Sequence, residues 1–453
     1  MSFERLVHLD FKGMPPSSKR LVELPGFLAS LGVTGMLVEW EDTIPFRHFP
    51  EMKRDYTYSP KTVRDFLAAA RKAKLSVIPL VQTFGHLESL LVIPKYRKLR
   101  ERKDDPRDLC PLHPESGEAV GRMIDDVLKL HEEFGLSHFH LGADEVWSLG
   151  TCAKCRRYVA EHDKASLFLS HMNPIIDRVN AAGVRAIIWH DMARNWPVSQ
   201  LRQLAGRADL MFWGYSPDPK PLFAFVAPQD MRRAAKAGLE SWGGSAYKGA
   251  CGVDANRPIV ANRAENNRLW HQTARQYKLR GVAMTAWSRY GTLLTCSEPI
   301  ESSWDSLIVC NQALMRGRYS VDRDLKAAWK RLYGTDSPEQ GVKRNERLWR
   351  AQEAVQQLDT WCRHFDSQTL PAGRLICPKL WGEARVNVFE VRKYLDGGVR
   401  SFEEITPSLM DFRRAFRGLV IEAEADRFWS SRVEPRRLMW RALADRIRKL
   451  ARE

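Results

Sequence analysis

Along the first 317 or so residues the chain alternates short apolar runs with amphipathic stretches. The runs are RLVHLDF (5–11), GMLVEW (35–40), LSVIPLV (75–81), SHFHLG (137–142), RAIIWH (185–190), DLMFWGY (209–215), GLESWG (238–243) and GVAMTAW (281–287). Each has the length of a strand, and helical signals lie between most of them. In SPKTVRDFLAAARKAK, Ser59 suits an N-cap and Pro60 the first helical position. EAVGRMIDDVLKLHEEFG sets Val120, Met123, Ile124, Val127 and Leu128 on one face and stops at Gly135. Eight strand–helix units in about 300 residues predict an α/β fold, a (β/α)8 TIM barrel with room for long loops. An open doubly wound sheet is the alternative, but it would use fewer strands and a glycine-rich phosphate turn. No G-x-G-x-x-G follows the first strand.

After Arg318 the texture changes. DLKAAWKRLYG, NERLWRAQEAVQQLDTWCRHF, ARVNVFEVRKYL and LMDFRRAFRGLVIEAEADRFW read as helices, with breaks expected at LPAGRLICP and near VEPRR. The expected division is a barrel over residues 1–318 and an α-helical C-terminal domain over 319–453. Neither an internal repeat nor a low-complexity segment interrupts this pattern.

Charge adds little to the picture. Lys and Arg number 71 against 55 Asp and Glu, a net of +16. From Val321 onward the counts are 27 and 20, a net of +7, which leaves +9 for the first 320 residues. The excess is diffuse, which favours a solvated basic surface over a nucleic-acid groove and leaves anionic glycans open as partners. MSFERLVHLDFKGM carries charges where an export signal needs an apolar core, and no apolar run has the length of a membrane span. A cytoplasmic protein without membrane association is the expectation, with reduced thiols. Of the eight cysteines, Cys152 and Cys155 form a CxxC, and Cys110 and His113 lie upstream. Two thiolates with a third Cys or a His make a zinc ligand set, although one CxxC alone leaves free thiols as the default.

In a barrel enzyme, polar residues at the carboxyl ends of the strands converge on one mouth. The predicted ends carry Asp10 and Lys12; Glu39, Trp40, Glu41 and Asp42; Gln82 and His86; Asp144 and Glu145; Trp189 and Asp191; Trp213 and Tyr215; Trp242; and Trp287, Arg289 and Tyr290. Four tryptophans at four successive ends suit the C–H faces of a sugar better than a barrel core, which branched aliphatics normally fill.

HFHLGADE (138–145) fits the His-x-Gly-x-Asp-Glu motif of the family 20 glycoside hydrolases, the β-N-acetylhexosaminidases. RLVHLDFKGMPP, PLVQTFGH, WGYSP, SAYKG and TAWSRY look like the hexosaminidase D branch of that family, and the similarity runs to about Tyr290. The resemblance implies an exo-acting, retaining hydrolase of terminal β-linked GlcNAc or GalNAc that needs no cofactor. In that family the 2-acetamido oxygen of the substrate is the nucleophile, through an oxazolinium intermediate. By motif position Glu145 would be the general acid–base, helped to start protonated by an anionic neighbour. Asp144 would accept the acetamido N–H and steady the developing positive charge. His86 and His140 would sit beside the pair, and Trp189, Asp191, Trp213, Trp242 and Trp287 would wall the pocket. Asp10 and Lys12 would bind hydroxyls where the family otherwise carries an Arg, a departure that leaves those contacts open. The Tyr that holds the acetamido oxygen would be Tyr215, Tyr247 or Tyr290, with Tyr215 favoured. Whether the protein forms a homodimer is not legible.

Three rivals remain at this stage. His138-x-His140 has the H-x-H form of amidohydrolase metal sites, but it lies on the fourth strand, with His190 the one later strand-end histidine. A glycan-binding barrel without turnover would have little use for intact Asp144 and Glu145. A nucleic-acid binder would need a denser basic run.

Overall fold

In the computed structural model, described for residues 3–217, 228–249, 257–288, 300–375, 393 and 406–450, eight parallel strands close into a barrel. They are β1 (Glu4–Asp10), β2 (Gly35–Glu39), β3 (Ser76–Leu80), β6 (His138–His140), β7 (Arg185–Trp189), β8 (Ala208–Trp213), β9 (Ser241–Lys248) and β10 (Gly281–Ala286), with β10 pairing back onto β1. A two-stranded antiparallel hairpin, β4 (Arg100–Arg102) and β5 (Asp105–Leu109), sits between β3 and β6. The closed ring settles the choice between barrel and open sheet.

Side chains alternate along each strand, and the inward column is filled low in the barrel by Leu6, Leu37, Ile78, Leu80, Ile187, Met211 and Ala283. The outward column, among it Val7, Leu9, Met36, Val38 and Ile188, packs under the helices. In β1, β2 and β3 the inward column runs upward from Leu6 to His8 and Asp10, from Leu37 to Glu39, and from Leu80 to Gln82. One register thus makes an apolar plug below and a polar mouth above.

The helical signals act as read. Ser59 Oγ accepts the Thr62 N–H at 3.1 Å and caps the helix Pro60–Lys72. The helix Ser116–His131 buries Val120, Met123, Ile124 and Val127, and Gly135 then turns the chain at φ +74°.

Three expectations need correction. The seventh strand begins at Ser241, not at Gly238, and runs on to Lys248. Trp242 is therefore its second residue, at the foot of the barrel. It is buried, donates its indole N–H to Asp209 at 3.0 Å and meets His138 edge-on. The predicted break near VEPRR is absent, because the helix Glu422–Leu450 runs through Pro435. Proline costs a backbone bond there, but Val433 is buried and Arg436 pairs with Asp366 at 2.9 and 2.5 Å, so packing outweighs the loss. The helix Glu346–Leu375 likewise enters LPAGRLICP, while most of ARVNVFEVRKYL lies outside the described residues.

A second hydrophobic cluster gathers Met14, Val355, Trp361, Phe365, Phe412, Phe428 and Val433. The barrel's own cluster continues past Arg318 to Leu348 and Trp349. Ser17 ties the two regions, with its N–H donating to Leu419 O and its hydroxyl to Gly418 O, each at 2.8 Å.

Gly243 shows how tightly the barrel and its shell are packed. A Cβ there would lie 2.7 Å from Trp270 Cε3 and 3.0 Å from Val282 Cγ2. The indole cannot swing away easily, because its N–H donates to Gly214 O at 2.9 Å. Gly243→Ala is expected to destabilise by about 1–3 kcal/mol. Urea unfolding midpoints check this, and an unchanged midpoint would show that the shell yields.

Candidate active site

After the three residues of β6 the backbone enters an unusual turn. Gly142, Ala143 and Glu145 have φ of +60°, +64° and +50°. A left-handed conformation is costly for a residue with a Cβ, and such strain persists only where the surroundings enforce it. Two hydrogen bonds and the close approach of the neighbouring loop do so here. His140 Nδ1 accepts the Gly142 N–H at 3.0 Å, and Asp191 Oδ2 accepts the Glu145 N–H at 2.8 Å. A Cβ on Gly85 would stand 2.2 Å from the Asp144 carbonyl oxygen, and one on Gly142 2.0 Å from Gln82 Oε1. The loop after β3 is thus pressed directly against the turn.

His86, itself at φ +55°, places Nε2 3.5 Å from Asp144 Oδ2 and 3.4 Å from Glu145 Oε2. Burial opposes a charge on this ring, but the Asp144 charge and the hydrogen bonds to both carboxyls prevail and hold it well above the usual histidine range. Asp144 is buried, Glu145 half-buried, and Asp144 Oδ1 has no hydrogen-bond partner among the described residues.

Asp191 braces the turn. Its second oxygen accepts the Trp213 indole N–H at 3.1 Å, so both oxygens serve protein donors. Burial, then the Asp144 charge, push its carboxyl up to about 7 against the pull of those donors. His140 is also a support. It is fully buried with its ring 4.4 Å from that of Trp189, and burial lowers it to about 3, a neutral imidazole.

An aromatic wall rises opposite. Trp213 stacks on Tyr215 with centroids 5.2 Å apart and planes at 21°. Trp287 lies 6.0 Å from Trp189 and 6.1 Å from Tyr215. Burial, and next the Asp144 charge, raise the Tyr215 hydroxyl well above its ordinary value, so it stays a proton donor. Of the other tyrosines, Tyr247 is buried with its hydroxyl donating to His8 O at 3.3 Å, and Tyr290 lies outside the described residues with Arg289. Trp242 is the one predicted wall residue placed at the far end of the barrel.

Asp10 and Lys12 form a tight ionic cluster. Asp10 accepts the Lys12 backbone N–H at 3.0 Å and the Ser288 N–H at 2.8 Å. Lys12 Nζ pairs with Glu39 and lies 3.7 Å from Asp10 and 3.9 Å from Glu41. His8 Nε2 lies 3.2 Å from the other Glu39 oxygen. Burial would raise Glu39, but Lys12 and His8 hold it far below the usual carboxylate range; burial with Glu39 beside it pushes Glu41 to about 7, against Lys12. His8 escaped the sequence reading because it lies within β1, although the inward register it shares with Asp10 was available.

Among the described residues, His138, His140 and His190 belong to no group of possible metal ligands.

A parallel eight-stranded barrel that collects paired acids and an aromatic wall at the carboxyl ends of its strands has the build of a glycoside hydrolase. Residues 28–221 match the model of glycosyl hydrolase family 20, catalytic domain. Hexosaminidase D of Homo sapiens is 36% identical over 345 residues, covering 74% of this chain and 70% of that protein. Hexosaminidase D of Bos taurus is 34% identical over 346 residues, covering 74% and 98%. Among solved structures, a chitobiase of Flavobacterium johnsoniae overlays with a TM-score of 0.54 at 14% identity, covering 96% of this chain and 78% of that one. A β-N-acetylhexosaminidase of Bacteroides fragilis gives 0.53 at 16% identity, covering 68% and 65%. These two likenesses bear on the fold. The chain belongs to glycosyl hydrolase family 20 and is a glycoside hydrolase of the β-N-acetylhexosaminidase type. No helix among the described residues is long and apolar enough to cross a membrane.

The Asp191 carboxyl gives a pH test. Its folded value of about 7 lies above the ~3.9 expected for an unfolded chain, so the folded state holds the extra proton between those values. The stability this contributes is complete below about pH 4 and is lost as pH rises through about 7. Asp191→Asn removes that dependence, whereas Glu41, also near 7, stays the same in both proteins. The wild-type unfolding midpoint should fall more steeply than the variant's between pH 4 and 8. Parallel curves would place the Asp191 titration elsewhere.

Proposed function

We propose that this protein is an exo-acting, retaining β-N-acetylhexosaminidase that removes terminal β-linked GlcNAc or GalNAc without a cofactor, the sugar's own acetamido oxygen serving as nucleophile. The observation that carries the proposal is the adjacent pair Asp144 and Glu145 on one strained turn, bridged by His86 and facing the wall of Trp213, Tyr215 and Trp287. Two neighbouring carboxyls so fixed can take different tasks. Glu145, half-buried at the lip, donates a proton to the leaving oxygen and then takes one from water. Asp144, deeper, offers its unpartnered Oδ1 to the acetamido N–H and balances the charge that grows on the ring being formed. Tyr215, beside the same acid, donates to the acetamido oxygen and aims it at the anomeric carbon. Trp189 and Trp287 line the floor and side, and Asp191 and His140 position the turn. Lys12, held in its cluster, presents a cation to the hydroxyls at the first-strand side, and Asp10, buried with both oxygens on backbone N–H groups, positions it. The net charge of +16 favours glycoconjugates that carry acidic groups.

Glu145→Gln tests the central assignment. It should lower turnover by about two to four decades on a poor leaving group and much less on an activated aryl glycoside, which needs little protonation. Sugar binding should persist in both cases. Equal losses across leaving groups would remove Glu145 from the acid role.

A further inference from the structure

Beside the turn, and unused by the chemistry above, four side chains from three segments meet. Glu101 stands on β4, Cys110 directly follows β5, and Cys152 and Cys155 open the helix Ala153–Glu161. Cys110 Sγ lies 3.7 Å from Cys152 Sγ and 3.7 Å from Cys155 Sγ. One ligand atom from each of the four residues lies within 4.8 Å of every other. Cys110 and Cys155 are buried, and Cys152 is half-buried. Sulfurs about 2.3 Å from the centre of a tetrahedron stand roughly 3.8 Å apart, so the observed spacing is that of a tetrahedral metal shell.

Glu101 supplies a second, independent sign. Its Oε1 accepts the N–H groups of Thr151 at 2.8 Å and Cys152 at 2.9 Å, which fixes the orientation of the carboxylate. Its Oε2 is buried without a hydrogen-bond partner among the described residues. A buried carboxylate oxygen left unpaired beside three thiols is costly, and a cation at their centre removes that cost. His113, the histidine candidate for the set, instead accepts the Glu115 N–H at 3.3 Å and takes no part in the cluster.

We propose that Glu101, Cys110, Cys152 and Cys155 bind one zinc ion that staples the β4–β5 hairpin to the segment leaving Glu145. Three thiolates and one carboxylate suit zinc above harder cations, and four protein ligands leave no open position, so the ion is structural. Binding releases the thiol protons to solvent, and no electron is transferred. The staple acts on the active-site turn through a short path. Asp108 Oδ2, on β5, accepts both the N–H and the hydroxyl of Ser148, at 2.8 and 2.7 Å, so with the Glu101 contacts residues 148–152 are held at both ends of their run against the hairpin.

The test uses the full chain, purified without chelator or added metal. Elemental analysis should find about one zinc per chain, and X-ray absorption should show three sulfurs at roughly 2.3 Å with one oxygen at roughly 2.0–2.2 Å. Chelation should make three thiols reactive towards a disulfide reagent and lower the melting temperature. Cys155→Ser and Glu101→Gln should each lose zinc affinity. If those variants do not fold, the wild-type metal content and absorption spectrum decide the matter alone. Zinc-free protein with reactive thiols, a mass two units low from a Cys–Cys bond, or a shell containing nitrogen would each overturn the proposal.

Discussion

The imidazole of His86, 3.5 Å from Asp144 and 3.4 Å from Glu145, is the contact on which the mouth of the barrel depends. Two carboxyl groups on successive residues repel each other when both are charged, and one cation shared between them lessens that cost. His86 carries that cation because its acidic surroundings outweigh its burial. The arrangement requires residues 142–145 to bend away from extended geometry, and the positive φ at Ala143 and Glu145 is the consequence. Gly85 and Gly142, each against an oxygen closer than a Cβ would tolerate, let the two loops approach that far.

A second group of charges sits across the mouth and is built on a different principle. Asp10, Glu39 and Glu41 surround one lysine, with His8 below. Lys12 lies 5.9 Å from the Trp287 ring, so the cluster reaches the aromatic wall. Burial, and after it the Glu39 charge, push Glu41 to about 7 against the pull of Lys12. In this chain the strand-one side of the pocket is thus held by a compact ammonium within a carboxylate cage, in place of the planar fork that an arginine would present.

Much of this was legible before any coordinates, and what escaped has identifiable causes. The strands ending at Asp10, Glu39, Trp189 and Trp213 lie within runs that are legible because apolar periodicity marks buried strands, and the acid pair is legible because a motif is local. The seventh strand slipped because SWGGSAYK holds two glycines and few branched residues, so the preceding GLESWG looked the better strand. That slip carried Trp242 from the foot of the barrel to its mouth. The hairpin within RERKDDPRDL is too charged to show any apolar alternation, and with it Glu101 went unread. For Asp191, no one-dimensional pattern says that both its oxygens face backbone and indole donors.

The central claim is that the nucleophile belongs to the substrate and that Asp144 manages its charge. Successive fluorination of the N-acetyl methyl on one aryl β-glucosaminide measures this most directly, because fluorine weakens the carbonyl oxygen and leaves the leaving group unchanged. The account predicts that kcat/KM falls steeply with each fluorine, in a linear free-energy relation against the electron-withdrawing power of the acyl group. A rate indifferent to fluorination would contradict it and return the nucleophile to the protein.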